Sequence, residues 1–390
     1  MKYQICIVTA TRAEYGLLRP LIRRVQQDET LTLLLAVTGA HLEPRYGNTV
    51  EEIRKDNLPI DACLPILTEG DTQQDVSCVM ANTITAFTAY FMERKPDMVV
   101  LLGDRYETLG VAIVALTCQI PICHIHGGET TEGAMDEAIR HSITKMSALH
   151  FTACAAYRKR VIQLGEQPDR VYNVGALGVE NIRTLSLLTK EEAGAQIGFS
   201  LAEPYALITF HPVTLEQQTQ GKQVQALFAA LEQFPQLRLL FTKSNADSGG
   251  MEINALIDAY VDAHPQRAIA FSSMGYLRYL SAMQGCTMVL GNSSSGILEA
   301  PAFHVPTVDI GDRQKGRLAA ASIIHCEAEQ ESIAAAIAQA LSPAFLQLCS
   351  TVENPFGNGH TSEQIVSIMK GRLTEGISLK KKFYDVGFLV

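Results

Sequence analysis

Residues 97–107 read Asp-Met-Val-Val-Leu-Leu-Gly-Asp-Arg-Tyr-Glu, an apolar run that ends in a glycine and a cluster of charged side chains. A near-continuous apolar run of this length is typical of a strand that is buried on both faces of a parallel sheet. In open parallel sheets, ligands bind beyond the carboxyl ends of the strands. The stretch therefore predicts a buried strand with functional groups, Asp104 and Arg105 among them, at its carboxyl end.

The same pattern recurs along the chain, with helix-like segments between the apolar runs. This alternation indicates parallel α/β units, and 390 residues exceed the usual size of one domain. We therefore predict an α/β protein of two Rossmann-like, doubly wound domains facing a cleft, 1–180 and 181–365, joined between Gly178 and Thr189. The predicted strands are Gln4–Ala10, Thr32–Gly39, Asp97–Gly103, Ile120–His126, Leu149–Ala153 and Val171–Gly175 in the first half, and Tyr205–Phe210, Leu237–Thr242, Ala268–Phe271, Thr287–Gly291 and Thr307–Gly311 in the second.

The composition narrows the class of protein. There are 32 Lys and Arg against 41 Asp and Glu, a net charge of −9, and no long basic run offers a surface for nucleic acid or an anionic membrane. The nine cysteines form no Cys-x-x-Cys pair, so we expect reduced core residues rather than disulfides or zinc ligands. Neither a signal-peptide pattern nor an apolar stretch of about 18 residues is present, which predicts a cytoplasmic protein.

Groups suited to phosphate lie at several predicted strand ends. Neither a P-loop nor a Gly-x-Gly-x-x-Gly signature is present. Instead, residues 292–296, Asn-Ser-Ser-Ser-Gly, precede a helix that carries Glu299; small residues at a helix N-terminus let backbone N–H groups approach an anion, although simple capping is the alternative. Arg12 and Arg313 follow strands in different halves and could clamp a diphosphate. His211 could contact phosphate or the leaving oxygen, or could be structural.

Acidic side chains cluster between positions 104 and 136. Asp104, Glu129 and Asp136, with His126, follow neighbouring predicted strands or open the next helix. Such carboxylates can share proton transfer when burial and mutual repulsion raise the pKa of one of them. For Asp136 the alternative is a helix cap or an i,i+4 pair with Arg140.

Two histidines of the fourth predicted strand raise the question of a metal. His124 and His126 are two residues apart, which predicts that they share one face of the strand. A zinc site would need further ligands beyond these two histidines. We expect no metal and no redox cofactor.

Taken together, these motifs resemble those of the UDP-N-acetylglucosamine 2-epimerases, specifically the hydrolysing branch that starts bacterial sialic-acid synthesis. Reversible members have forms similar to Gly-Asp-Thr and His-Val-Glu-Ala-Gly where this chain has Gly-Asp-Arg and His-Ile-His-Gly-Gly-Glu. The resemblance extends from about residue 3 to residue 370. The motifs on which the resemblance rests are residues 11–16, 37–41, 103–107, 124–129, 136–141, His211-Pro212, 291–296 with Glu299, and 311–317.

The tail from Ser362 to about Leu373 reads as a helix. The resemblance implies a glycosyltransferase-B-like architecture, with a C-terminal helix at about 366–390 packing back on the first domain, and a homodimer. It assigns catalysis to Asp104, Asp136 and His211. The family's middle catalytic acid is a Glu where this chain has His126, so either His126 or the nearby Glu129 takes that role. The residues implied to hold UDP are Arg12, Arg105, His211, Asn245, Ser293, Ser294, Gly296, Glu299 and Arg313.

The implied reaction is hydrolysing 2-epimerisation of UDP-N-acetylglucosamine. Elimination of UDP would give 2-acetamidoglucal, and hydration would then give N-acetylmannosamine, with no cofactor. Three alternatives stay open. They are hydrolysing 2-epimerisation of UDP-2,4-diacetamido-2,4,6-trideoxyglucose on the legionaminic-acid route, a glycosyltransferase of the same architecture, and a sugar-nucleotide sensor without turnover.

Overall fold

The chain is described by a computed structural model that covers residues 2–130, 135–213, 220–244, 250–357 and 359–387. It divides into two compact units. The first unit comprises Met1–Glu129, Asp136–Asn181 and Phe356–Val390, and the second comprises Thr130–Met135 and Ile182–Pro355. Each unit contains one parallel sheet flanked by helices, so the predicted fold class of two parallel α/β domains is confirmed.

The sheet of the first unit contains seven described strands in the order β3-β2-β1-β4-β5-β6-β7, all parallel. Strand order reverses between β1 and β4, which is where open α/β sheets place their ligands. Leu102 pairs with Ile125, so the residues that follow β4 and β5 emerge side by side. The strands are β1 (Tyr3–Thr9), β2 (Leu31–Thr38), β3 (Ile60–Leu64), β4 (Met98–Leu102), β5 (Ile122–Ile125), β6 (Leu149–Thr152) and β7 (Val171–Asn173).

The helices of the first unit bury apolar faces against this sheet. Ile5, Ile7, Val100 and Ile125 form the centre of the core together with side chains of the helices. The helices are α1 (Arg12–Gln27), α2 (Val50–Lys55), α3 (Gln73–Arg94), α4 (Tyr106–Thr117), α5 (Asp136–Met146), α6 (Ala155–Gln163), α7 (Leu177–Thr184, which carries the chain into the second unit) and α15 (Thr361–Glu375).

The C-terminal helix confirms the prediction at Ser362–Leu373 and differs from the bounds 366–390 that the resemblance implied. Helix α15 begins at Thr361 and ends at Glu375, followed by Gly376 with φ +84°, which interrupts the helix. Its buried residues Ile365 and Met369 belong to the core of the first unit. Residues 376–387 continue without helix or strand.

The sheet of the second unit contains six described strands in the order β10-β9-β8-β11-β12-β13, again all parallel. Its strand order reverses between β8 and β11. The strands are β8 (Tyr205–Thr209), β9 (Arg238–Thr242), β10 (Ala268–Phe271), β11 (Met288–Gly291), β12 (Thr307–Ile310) and β13 (Ile323–Cys326). The helices are α8 (Lys190–Ile197), α9 (Gln220–Leu231), α10 (Gly250–Ala263), α11 (Tyr276–Gly285), α12 (Ser294–Leu298), α13 (Gln330–Ala340) and α14 (Pro343–Cys349).

Two strands were missed by the sequence analysis, β3 and β13. Both lie at sheet edges, and both carry polar residues, Asp61 and His325, that interrupt the apolar run. An edge strand is paired on one side only and tolerates such residues. Among the described helices, none alone is long and apolar enough to span a membrane; α13 and α14 reach that length only as a pair bent by 69°.

Candidate active site

In the first unit, predicted site residues follow the strands on both sides of the strand-order reversal. Arg12 is the first residue of α1, directly after β1, and Asp104 and Arg105 follow β4. His126, predicted as the last residue of the fourth strand, lies immediately after β5, the strand paired with β4. The sheet therefore brings these side chains to one edge, although they lie far apart in sequence.

Asp104 is held by Arg140, a contact that the sequence analysis missed. The guanidinium of Arg140 is only 1% exposed and donates to the carboxylate of Asp104. It also donates to the carbonyl oxygen of Glu129 at 2.8 Å and to Oε2 of Glu137 at 2.9 Å. A nearby guanidinium favours the ionised form of a carboxylate. Arg140 therefore ties together the loops after β4 and β5 and the first turns of α5.

His126 and Glu129, left as alternatives by the sequence, form one pair. His126 Nδ1 lies 3.2 Å from Glu129 Oε1, and both side chains are buried. The prediction that His124 and His126 share a strand face is wrong, because β5 ends at Ile125 and His126 has φ +66°. Because of this left-handed backbone, the imidazole of His126 does not follow the alternating side-chain directions of the strand.

Asp136 begins α5, as predicted. It is half-buried and lies four residues before Arg140, on the helix whose buried residues include Ile139 and Ile143. Asp104 and Asp136 thus lie on segments that Arg140 connects. The described residues contain no group of three or more His, Cys, Asp and Glu side chains arranged to hold a metal ion.

Arg105 is positioned by a buried carboxylate. Its Nη2 lies 3.0 Å from Glu107 Oε1 and its Nε lies 3.2 Å from Glu107 Oε2, and Glu107 is 1% exposed. Glu14 Oε2 accepts from the backbone N–H groups of Ala10 and Thr11 at 2.7 and 3.2 Å. Burial raises the pKa of Glu14 to about 7, opposed by the charge of Arg105. Both acids lie in motifs that the sequence analysis named, residues 11–16 and 103–107, but it gave neither of them a role.

In the second unit, Asn292 connects three strand ends. Its Oδ1 accepts from the N–H of His211 at 2.7 Å, and its Nδ2 donates to the carbonyl oxygen of His211 at 2.8 Å. The carbonyl oxygen of Asn292 accepts from Arg313 Nη1 at 3.1 Å and from Gln314 Nε2 at 2.9 Å. His211 Nδ1 lies 3.3 Å from Ser244 Oγ, after β9. His211, the serine loop (residues 292–296) and Arg313 are therefore gathered around the buried Asn292.

The serine loop caps α12. Ser293 is the N-cap, and its Oγ accepts from the N–H of Ser295 at 3.4 Å, while Ser294 opens the helix. A Cβ at Gly296 would lie 2.9 Å from Cγ2 of Thr307, so this glycine allows the helix to pack against β12. Loop backbone and hydroxyl groups at this strand end can hold an anion, whereas Gly296 has a packing role.

Glu299 directly follows α12, and one of its carboxylate oxygens accepts a hydrogen bond. Tyr276 donates its hydroxyl to Glu299 Oε1 at 2.6 Å, and the acid is 3% exposed. Burial raises the pKa of Glu299 to about 7, and the hydrogen bond from Tyr276 opposes this. Tyr276 was missed by the sequence analysis, because a tyrosine at the start of a helix carries no local signal. Asn245, also predicted to bind UDP, lies outside the described residues.

The two units thus contain chemically different sets of groups. The first has carboxylates and a histidine suited to proton transfer. The second has a histidine, an arginine and a serine loop suited to phosphate, and a buried carboxylate suited to hydroxyl groups.

Comparison with known proteins identifies the family. The profile of the family described as UDP-N-acetylglucosamine 2-epimerase matches residues 23–370. A GDP/UDP-N,N'-diacetylbacillosamine 2-epimerase (hydrolyzing) of Campylobacter jejuni is 44% identical, over 84% of this chain and 85% of that protein. The polysialic acid biosynthesis protein P7 of Escherichia coli is 38% identical, over 98% and 97%. A UDP-N-acetylglucosamine 2-epimerase of Neisseria meningitidis serogroup B is 33% identical, over 99% and 100%.

A solved structure has the same fold. The Methanocaldococcus jannaschii UDP-GlcNAc 2-epimerase in complex with UDP-GlcNAc and UDP matches with a TM-score of 0.79 and 20% identity, covering 94% of this chain and 99% of that one. The resemblance that the sequence motifs indicated is therefore confirmed. The chain belongs to the UDP-N-acetylglucosamine 2-epimerase family.

Proposed function

We propose that this protein converts UDP-N-acetylglucosamine and water into N-acetylmannosamine and UDP. Its activity class is that of a hydrolysing UDP-sugar 2-epimerase; the identity of the sugar is the proposal. The observation that carries the proposed chemistry at C2 is the ion pair between Arg140 and Asp104, which joins that carboxylate to α5, the helix that Asp136 begins. Epimerisation at C2 requires one group that removes a proton from carbon and one that returns it.

The first half of the reaction is an elimination. A carboxylate accepts the C2 proton, the C1–O bond breaks with its electron pair leaving on UDP, and C1=C2 forms. The C2 proton is weakly acidic, so departure of UDP runs ahead of proton loss and the transition state resembles an oxocarbenium ion. Asp104, whose ion pair with Arg140 favours the ionised form, is the proposed base.

The second half is a hydration of the glycal. A proton returns to C2 on the opposite face, and water adds to C1, so the products are the free 2-epimeric sugar and UDP. Asp136 and the His126–Glu129 pair are the proposed acid and base groups of this half.

UDP is the proposed ligand of the second unit. The serine loop and Arg313 provide donors for the diphosphate, and His211 lies at the same strand ends. Glu299 is proposed to accept hydrogen bonds from the ribose hydroxyls. Donors that hold the diphosphate contribute most when charge develops on the leaving group.

A second candidate substrate has comparable support. Two relatives, 44% and 34% identical, are named as 2-epimerases of diacetylbacillosamine nucleotides. That sugar differs from N-acetylglucosamine at C4 and C6, whereas the chemistry at C1 and C2 is the same. None of the described site residues named above is assigned to the sugar substituents at C4 and C6. The same acids would therefore serve either substrate.

The test is to identify the products by NMR in D₂O with each UDP-sugar. The expected products from UDP-N-acetylglucosamine are UDP and free N-acetylmannosamine that carries deuterium at C2, formed irreversibly. Accumulation of a UDP-linked mannosamine, transfer of the sugar to an acceptor, or binding without turnover would each contradict the proposal. A higher kcat/KM with UDP-N,N'-diacetylbacillosamine would assign the second substrate, and Asp104→Asn protein is the matched inactive control.

A further inference from the structure

His124 joins the two segments that carry Asp104 and Asp136. Its side chain lies on β5 with 0% exposure. His124 Nε2 lies 2.7 Å from the carbonyl oxygen of Gly103, and Nδ1 lies 3.1 Å from Thr144 Oγ1. Gly103 immediately precedes Asp104, and Thr144 is on α5, which begins at Asp136. One imidazole therefore bridges the end of β4 and the helix.

The partners of the ring define its protonation. A carbonyl oxygen only accepts, so Nε2 carries the hydrogen and donates to Gly103, whereas Nδ1 accepts from the hydroxyl of Thr144. Burial lowers the pKa of His124 to about 3, although the hydrogen bond to Gly103 opposes this. The ring is therefore neutral at physiological pH, and both of its nitrogens are buried in hydrogen bonds with protein groups rather than open to a substrate.

The neighbouring loop packs against the same hydrogen bond. A Cβ at Gly127 would lie 3.1 Å both from His124 Nδ1 and from Thr144 Oγ1. The N–H of Gly103 donates to the carbonyl oxygen of Ile125 at 3.0 Å, so Gly103 is held through both its backbone groups. The loop that follows Ile125, the turn before Asp104 and the helix α5 thus meet at His124.

We propose that His124 is a positioning residue for the reaction: it sets the place of the Asp104 loop relative to α5 and transfers no proton itself. The proposal rests on the proposed function, in which Asp104 is the base. Displacement of a catalytic group by about 1 Å lowers turnover by about 100-fold. A histidine that only stabilised the fold would change the unfolding temperature and leave kcat unchanged.

Two substitutions separate the contacts of the ring. His124→Gln can place an amide N–H near the position of Nε2 and keep the donor to Gly103. In His124→Asn the side chain extends only as far as the position of Nδ1, so the donor to the carbonyl oxygen of Gly103 is lost. We expect His124→Asn to lower kcat by about 100-fold with KM and UDP affinity changed by less than about threefold, and His124→Gln to recover most of the loss. The pH profile of kcat should keep its shape in His124→Gln, because the ring does not titrate in that range.

His150→Gln is the matched control. His150 is also fully buried and pairs in register with His124 on the neighbouring strand β6, but its partner is Glu166 rather than the Asp104 loop. We expect this variant to lose thermal stability and to keep kcat within about twofold. An equal loss of kcat in His150→Gln and His124→Asn would overturn the positioning role, as would His124→Asn with a kcat within about twofold of the parent.

A double variant and a spectrum complete the test. In an Asp104→Asn background, His124→Asn should lower kcat little further, because both changes act on one group; additive losses would overturn the proposal. Full turnover of Asp104→Asn alone would instead overturn the role of Asp104 in the proposed function. Imidazole ¹⁵N NMR of the unsubstituted protein should show the Nε2–H tautomer of His124 from about pH 5 to about pH 9, and a charged ring or the Nδ1–H tautomer would contradict the assignment.

Discussion

Arg140 and Asp104 form an ion pair, with the guanidinium 1% exposed and the carboxylate 21% exposed. Arg140 belongs to α5 and Asp104 to the loop after β4, so the pair fixes a helix against a strand end. The same guanidinium donates to the carbonyl oxygen of Glu129. A buried cation with several oxygen acceptors stabilises the structure only while all of them are present, because removal of one partner leaves the others buried and unpaired.

Removal of this cation should be strongly destabilising. We expect Arg140→Met to lower the free energy of unfolding by about 3 kcal/mol, because Asp104 and the Glu129 carbonyl lose a buried charged donor. Urea unfolding followed by circular dichroism measures this. Arg54→Met is the control: its pair with Glu51 is half exposed, so the change should stay within about 0.5 kcal/mol. A cost for Arg140→Met as small as that of the control would contradict the role of the buried pair.

The two aspartates should be needed for turnover and not for nucleotide binding. We expect Asp104→Asn and Asp136→Asn each to lower kcat by about 100-fold or more, the usual effect of losing a general acid or base. UDP affinity, measured by calorimetry, should change little, because neither carboxylate is proposed to contact the diphosphate. Asp169→Asn, whose side chain is 68% exposed, should keep normal turnover. Loss of UDP binding with residual turnover intact would reverse the assignment.

UDP binding should strengthen as the pH rises through about 7. Burial raises the pKa of Glu299 to about 7 in the ligand-free protein, whereas the ribose hydroxyls need the ionised, accepting form. Protons therefore compete with UDP, and the contribution of Glu299 to affinity should rise by about tenfold between about pH 6 and about pH 8. Titration calorimetry of the parent and of Glu299→Gln separates this contribution from the ionisation of UDP itself. Identical pH dependence in the two proteins would exclude Glu299 from the UDP site.

The C-terminal segment should stabilise the first unit through Glu166. This buried acid accepts from Lys381 Nζ at 2.6 Å, from Lys145 Nζ at 2.6 Å and from His150 Nε2 at 3.0 Å. Burial would raise the pKa of Glu166, but hydrogen bonds from His150 and the two lysines lower it to about 2. Because the folded-state pKa is depressed, this contribution is fully present above the ordinary value of 4.5 and is lost as the pH falls towards about 2.

We therefore expect Lys381→Met to lower the free energy of unfolding by about 1–2 kcal/mol at neutral pH, through loss of a charged hydrogen bond. The difference from the parent should shrink as the pH falls below about 4.5. Lys380→Met, at an exposed position next in the chain, should be neutral. Urea unfolding at a series of pH values measures both variants. A difference that grows in acid would show that Lys381 acts through another group.

The strands at the centres of both sheets were predictable because they are short apolar runs buried on both faces. The edge strands were not, because Asp61 in β3 and His325 in β13 break the apolar pattern without breaking the pairing. Periodicity also predicted the start of α5 at Asp136. It failed for His126, whose left-handed backbone follows the end of β5.

The candidate site was predicted from the sequence where a residue directly follows a strand, as Asp104 and Arg313 do. Tyr276 was not predicted, and for Arg140 and Asn292, which lie in motifs that the sequence analysis named, the observed contacts were not predicted. Each of the three lies in a segment where a helical, capping or surface role is equally consistent with the local sequence. Their roles depend on contacts with residues far away in the chain.

The sequence by itself determined the family, the parallel α/β class and the strand ends that carry functional groups, because apolar periodicity and strand-end motifs are local properties of the chain. The tertiary structure decided which groups meet: Arg140 with Asp104, His126 with Glu129, and His124 with Gly103 and Thr144. These partners are chosen by strand order and by burial, which oblige a charged or polar group to find whatever acceptor the fold brings within reach.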